Sequence, residues 1–339
     1  MSETNSSQGP PVGVVLFQLG GPDSLEAIEP FLFNLFSDPD IIDFPLARLA
    51  REPLARVIAS KRARRLRRHY EEIGGKSPIG ELTAQQAAAL ERELRKTLDA
   101  RVLVAMRYWH PLTEETVRQV EAQAFHKLVL LPLYPQYSST TTGSSLNEWR
   151  RKSPPSFAAK VRVVRDFHRH PLYADAVVER INEALGRFRR TNGSAYHVPT
   201  DVHLLFSAHG VPVSGIEAGD PYQAQVEATV RLVMERGRWP NPHRLCWQSR
   251  SGPGRWLRPF LDEALEDLGV RGAERVLVIP ISFVSEHVET LHEIHIDARQ
   301  HAERVGIRHF GVMPALNDSP KFIAALADLV LREVNGPRR

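Results

Sequence analysis

Short, almost unbroken apolar runs alternate along this 339-residue chain with longer segments of helical periodicity. That alternation constrains the fold more than any other feature. The runs cover 12–19 (VGVVLFQL), 101–108, 126–134, 160–167, 201–208, 243–249 and 274–283. Several lack the polar-apolar alternation of a half-solvated strand, which predicts strands covered on both faces. Apolar residues at helical spacing predict helices over 83–98, 173–188, 221–236 and 255–268. Strand and helix in alternation imply parallel sheets flanked by helices, an α/β protein.

The two halves echo each other. LFQLGGP (16–22) is matched by LFSAHGVP (205–212), each a strand running into a Gly-Pro turn. LVLLPLYPQYSSTTTGSS (128–145) is matched by VLVIPISFVSEHVETL (276–291), each a strand meeting a proline and then a polar stretch able to open a helix. Two similar α/β domains follow, 11–167 and 168–332. The unequal spacing of the two echoes is met by an insertion at 38–77 in the first. A polar connector is read at 191–200, and the C-terminal helix is free to pack back on the first domain.

Composition narrows the function. Apolar residues at 42% and charged residues at 25% are ordinary for a globular chain. Lys and Arg exceed Asp and Glu by 44 to 40, too slight a surplus for a dedicated nucleic-acid binder. The single cysteine, Cys246, excludes a disulfide framework and an all-cysteine metal or iron–sulfur site. The polar start has no signal-peptide pattern, and no 18-residue apolar run exists, so a cytoplasmic protein is expected. Peripheral contact at the inner face of a membrane stays open.

Common motifs are missing. There is no G-x-G-x-x-G, no P-loop and no G-x-S-x-G elbow. HEIH (292–295) spaces its histidines by three where a zincin helix needs four, and HVE (287–289) lacks the paired cysteines of a deaminase. What remains lies just past strand ends, where open α/β sheets bind ligands. His209 reads either as a turn histidine bonded to a carbonyl or as a metal ligand or proton acceptor. Glu289, Glu293 and Asp297 are four apart, along one helix face, with no Lys or Arg at i+4 within the row. They read as a solvated face or as an acidic track for protons or cations. Residues 134–145 read as a Ser/Thr-rich helix start or as a loop for a planar ligand. The basic run KRARRLRR (61–68) reads as a solvated face or a partner for carboxylates and anionic lipid.

LFSAHGVP, WQSRSGPGRWL, FVSEHVETLHEI, YEEIGGKSPIGELT, MRYWHPLTEETV and LYPQYSSTTTGSS together resemble the ferrochelatase family, from about residue 12 to 331. The resemblance implies two Rossmann-like domains, each a parallel sheet flanked by helices, around a porphyrin cleft. It implies insertion of ferrous iron into protoporphyrin IX, with release of two protons, as the last step of protoheme synthesis. His209 and Glu289 would be the catalytic and metal-binding pair, with Glu293 and Asp297 extending the track. Leu19, Arg107, Tyr108 and Tyr134 would line the first-domain side of the cleft, and Trp256, Phe283 and His287 the other. Lys61, Arg62 and Ser77 match positions near the porphyrin propionates. Residues 45–58 match an apolar lip that meets membranes.

Fe2+ would be a substrate, with no further cofactor. The chain ends soon after its last helix, without the cysteine-bearing tail that holds an iron–sulfur cluster in some relatives, so no cluster is expected. A monomer or a homodimer fits, with no nucleic-acid partner. Two departures matter. Leu19 stands where many relatives carry Met and the coproporphyrin type carries Tyr, which favours protoporphyrin, as LGGP does. His295 replaces an often acidic residue of the track. A coproporphyrin ferrochelatase and a non-catalytic porphyrin or heme carrier are the alternatives.

Overall fold

The computed structural model describes residues 11–41, 47–188, 200–250 and 254–336. The 191–200 connector, except Thr200, and the beginning of the 45–58 lip lie outside these residues. In chain order the first half contains β1 (Val12–Gln18), α1 (Ile28–Phe36), α2 (Ala47–Glu72), α3 (Ile79–Leu94), β2 (Ala100–Met106), α4 (Thr113–Glu121) and β3 (Lys127–Pro132). A π-helical turn (Ser139–Gly143) then leads into α5 (Ser144–Lys152), followed by β4 (Val161–Val163). Helix α6 (Pro171–Gly186) carries the chain towards the second half. There follow β5 (His203–His209), α7 (Val213–Glu217), α8 (Tyr222–Gly237), β6 (His243–Gln248), α9 (Leu261–Val270), β7 (Arg275–Pro280) and α10 (Val288–Leu291). A second π-helical turn (Glu293–Ala298) runs into α11 (Arg299–Arg304), then β8 (His309–Val312) and α12 (Pro320–Asn335).

The strands form two parallel sheets of the same order, β2-β1-β3-β4 and β6-β5-β7-β8. The echo in the sequence is therefore an echo in topology, and both halves place a π-turn after their third strand. Strand β8 was not anticipated. It has four residues, one of them Gly311, and too few apolar side chains to stand out as a run. The helix expected over 255–268 starts only at Leu261. Pro259 offers no N–H, and a residue before proline is pushed out of helical conformation, so the helix opens beyond it.

The continuous apolar runs have a simple cause. Successive side chains on a strand face opposite ways. Val14 and Leu16 of β1, Val129 and Leu131 of β3, Leu204 and Phe206 of β5, and Leu277 and Ile279 of β7 all join one large core. That core is shared by the two halves, with α3, α6, α8 and α12 contributing to it. The alternate residues bury elsewhere. Val15 and Phe17 meet Val117 and Trp149 on the far side of the first sheet, and Leu205, Val276 and Val278 meet Leu261 and Ile294 on the far side of the second. Helix α12 sets Phe322, Leu326 and Val330 into the shared core, and Lys127 donates to the Val334 carbonyl at 2.6 Å.

Candidate active site

Both sheets point their carboxyl ends toward the same region, and the candidate residues sit just past those ends. His209 closes β5. Two contacts fix its backbone: its N–H donates to Ser282 Oγ at 3.0 Å, and Tyr222 Oη donates to its carbonyl at 3.1 Å. Gly210 follows because the chain passes close to its neighbour there; a Cβ at that position would lie 2.9 Å from the Gln248 carbonyl. The imidazole Nε2 of His209 stands 3.7 Å from Glu289 Oε1. On its other oxygen Glu289 faces His287 Nε2 at 3.3 Å. His287 Nδ1 lies 3.1 Å from the Ser285 carbonyl. That carbonyl can only accept, so Nδ1 donates to it. Phe283 meets the His209 ring edge-on at 6.3 Å between centroids and the His287 ring at 4.5 Å.

The electrostatics divide the carboxylates. Burial pushes the Glu289 carboxyl up, but His209 and His287 more than offset it and hold it well below the usual range. Burial pulls His287 down, yet its contact with Glu289, the Glu289 charge and the Ser285 carbonyl leave it above the ordinary histidine value. Glu293 goes the other way. Burial and the neighbouring Glu289 charge raise it to about 7, although Ser249 Oγ donates to it. Gln248 braces this region, accepting from Ser207 Oγ at 2.7 Å and donating to the Glu289 carbonyl at 3.0 Å. Asp297, at the outer end of the row, is exposed and lies 3.2 Å from His292 Nδ1.

The first half supplies the opposite wall. The turn after β1 needs glycine: Gly20 has φ +86°, and a Cβ on Gly21 would come 2.6 Å from Ser77 Oγ. Ser77 is buried against this turn, its N–H donating to the Pro22 carbonyl at 2.8 Å. Leu19 packs in a cluster with Tyr70, Tyr108, Trp109 and, from the second half, Val288. Arg107 and Tyr108 converge on Asp38, whose side chain is fully buried. Asp38 accepts from Tyr108 Oη at 2.6 Å and Ser144 Oγ at 2.5 Å, and pairs with Arg107 Nη2 at 2.8 Å. Burial pushes this carboxyl up, but Ser144, Tyr108 and Arg107 hold it below its usual value.

The structure thus gathers His209, Glu289, His287, Phe283 and Glu293 into one constellation. Tyr108 is only 1% exposed and stands behind the wall, and Tyr134 is half-buried beyond β3. Trp256 pairs its backbone with Pro212, close to Gly210. Lys61 stays exposed on α2, while Arg62 caps the Phe36 ring at 5.1 Å; neither has a contact with the His209–Glu289 pair. Among the described residues no three His, Cys, Asp or Glu side chains converge as a metal cage. Cys246 is buried, its thiol pushed up to about 12 by that burial. A cavity of about 710 Å³ lined by Tyr137, Arg165, Asp220 and Gln225 lies apart from the pair. Sequence reasoning missed Asp38, Ser144, Tyr222, Gln248, Ser249 and Ser282. Each is a common polar residue near an element end, and only its long-range partner marks it out.

Comparison with known proteins adds to this geometry. The family model described as Ferrochelatase matches residues 11–334. A protein named ferrochelatase from Trichodesmium erythraeum is 46% identical over 333 residues, 97% of this chain and 84% of that one. Among solved structures, the sirohydrochlorin chelatase SirB from Bacillus subtilis subspecies spizizenii, in complex with cobalt, aligns with TM-score 0.55 at 9% identity over 97% of each chain. A multi-domain protein from Deinococcus radiodurans, described as similar to chelatases, aligns with TM-score 0.50 at 18% identity; 98% of this chain covers 56% of that one. At such identities the two structures speak for the fold alone.

Proposed function

The chain belongs to the ferrochelatase family, and from that premise we propose how its residues divide the work of inserting ferrous iron into protoporphyrin. The family match and the ferrochelatase relatives carry the activity; the assignment of roles is our own reading. The observation that supports it is the 3.7 Å approach of His209 to Glu289 beside an aromatic wall.

A free-base porphyrin holds two pyrrole protons that must leave as the metal enters its plane. A flat ring shields both its protons and its nitrogen lone pairs. A cleft that favours a puckered ring lowers the barrier, which is complementarity to the transition state. Phe283 and Trp256 on one wall, with Leu19, Arg107 and Tyr134 on the other, are the groups we assign to gripping it. Arg107 is held by Asp38 through Nη2 and by Ser144 through Nε, so it is fixed in direction before the ring arrives. Lys61, Arg62 and Ser77 would serve the propionate side.

The metal and the protons meet the same pair in turn, the metal while His209 is neutral and the protons as the metal leaves for the ring. Glu289 stays ionised between two imidazoles, which makes it a weak base and a good attractor for a divalent cation. His209 is then the group we assign to taking the pyrrole protons. Glu293, raised to about 7, both accepts and releases protons near neutrality and passes them outward toward Asp297. A first-row metal sits roughly 2.1 Å from nitrogen or oxygen ligands, so the 3.7 Å gap between His209 and Glu289 can be spanned by one ion. Two donors hold a metal loosely, which suits delivery. Iron enters as a substrate, and with Cys246 as the one cysteine of this sequence our reading includes no iron–sulfur cluster.

The outer edge of α2 gives the protein its membrane contact in this reading. Leu54 and Val57 are 42% and 53% exposed there, and Lys61, Arg64, Arg65 and Arg68 follow on the same helix. An apolar edge beside basic residues suits an anionic bilayer surface. The protein then works from the cytoplasmic side.

The deciding experiment is metallation by the purified chain, followed by heme absorbance with ferrous iron and protoporphyrin. Turnover beyond one equivalent is expected, and faster than with coproporphyrin. His209→Ala should keep porphyrin binding, read by fluorescence titration, and lose metallation by about 10²–10⁴-fold. Near-parental rates in that variant would remove His209 from the chemistry. A single stoichiometric binding event without turnover would make the chain a carrier.

A further inference from the structure

His292 stands where the helix beyond β7 changes pitch. Its carbonyl accepts the N–H groups of both Ile296 and Asp297, each at 3.0 Å. The four-residue closure of an α-helix and the five-residue closure of a π-helix thus meet on one acceptor. From the next residue, Glu293, the turn is π-helical through Ala298. This wider turn matters for the acidic row. Residues four apart creep around a helix of 3.6 residues per turn, and a wider turn reverses the creep. Glu293 remains close enough to Glu289 to be raised by its charge, and Asp297 close enough to raise it further.

A π-turn is uncommon, and this one is tied from outside. The His292 side chain is 4% exposed and reaches the first half of the molecule. Its Nε2 donates to Glu72 Oε2 at 2.6 Å, on the last residue of α2. Its ring lies flat on His69, with centroids 3.8 Å apart and planes 11° from parallel. Arg68 holds Glu72 in turn at 2.8 Å, one turn back on α2. The residue at the switch of helix pitch is therefore the residue gripped by the long helix of the opposite wall.

We infer that His292 is a positioning residue: its tie to Glu72 and His69 holds the π-turn, and so keeps Glu293 and Asp297 in line with Glu289. This rests on the reading of that row as the route for cations and protons. It assigns the end of α2 a part in the chemistry, beyond the influence of Glu289 on Tyr70 of the same helix.

Zinc insertion into protoporphyrin by the full chain tests this, with zinc and porphyrin varied separately. His292→Leu should raise the KM for zinc by about tenfold, the scale of lost outer-shell contacts, and leave the KM for porphyrin unchanged. His292→Gln keeps an N–H donor for Glu72 and should stay near the parent. Glu72→Ala should act like His292→Leu, and the double variant should be no worse than His292→Leu alone. Equal rises in both KM values, additive effects, or an unmoved zinc KM would overturn the tie. Glu72 lies at the surface, so Glu72→Ala carries the test should His292→Leu fail to fold. A parent that metallates nothing sinks the reading of the site; a working parent beside unchanged variants sinks the tie alone.

Discussion

Glu289 and Glu293 sit four residues apart on one helix yet hold protons in opposite ways. Two imidazoles keep the first ionised, whereas burial and the first carboxylate raise the second to about 7. The folded value of Glu293 lies above its ordinary value of 4.5. Its contribution to stability is therefore full below pH 4.5 and is lost as pH rises through about 7. Glu293→Gln, which mimics the protonated form, should melt above the parent at pH 8 and level with it near pH 4, by circular dichroism. The reverse ordering would show that the carboxylate is not disfavoured in the fold. The same variant should flatten the limb of the metallation pH profile near 7. How much of this was legible differs residue by residue. The four-residue spacing marked the row and the strand ends put His209 and Glu289 on one rim, while their reading as a pair came from the family resemblance. Nothing in the spacing distinguished the two glutamates, because their difference comes from His209 and His287 beside the first and from burial and the Glu289 charge at the second, surroundings made only by folding.

Among the elements, the junction of α1, the end of β2 and the start of α5 is held by one buried carboxylate. Asp38 takes Arg107, Tyr108 and Ser144 together, beside the point where the chain leaves α1 for α2. Removing it leaves the buried Arg107 charge with the Glu148 carboxylate, at a looser 3.8 Å, in place of its close partner. Asp38→Ala should cost about 3–5 kcal/mol, measured by urea unfolding, and should also raise the KM for porphyrin, since Arg107 and Tyr108 lose their bearing. A loss under 1 kcal/mol would mean that the junction is held by its apolar neighbours Ile28, Phe31 and Leu32. Seven of the eight strands could be foreseen, because continuous Val and Leu runs have few other uses, whereas β8 is too short and too polar to make such a run. The π-turns could not. SSTTTGSS announces a polar helix start, but the wider pitch at Ser139–Gly143 depends on packing between the halves, where Ser138, Ser139 and the Ser139 N–H all donate to Asp220.

For the molecule as a whole, the membrane contact proposed above falls on the exposed edge of α2, where Leu54 and Val57 face solvent. Among the described residues no helix is long and apolar enough to cross a membrane. Replacing Leu54 and Val57 by Ser should weaken co-sedimentation with vesicles of anionic lipid while leaving metallation in detergent intact. Unchanged sedimentation would move the contact elsewhere or abolish it. The sequence reads as two similar α/β domains with a C-terminal helix free to pack back on the first, and among the described residues the largest apolar cluster runs from Val14 of the first sheet through Phe206 of the second to Phe322 of the last helix. A gene cut between the sheets would give two fragments, each with a raw greasy flank where its twin belonged. Two sheets of like topology therefore make something that cannot be halved: each half has become the other's interior.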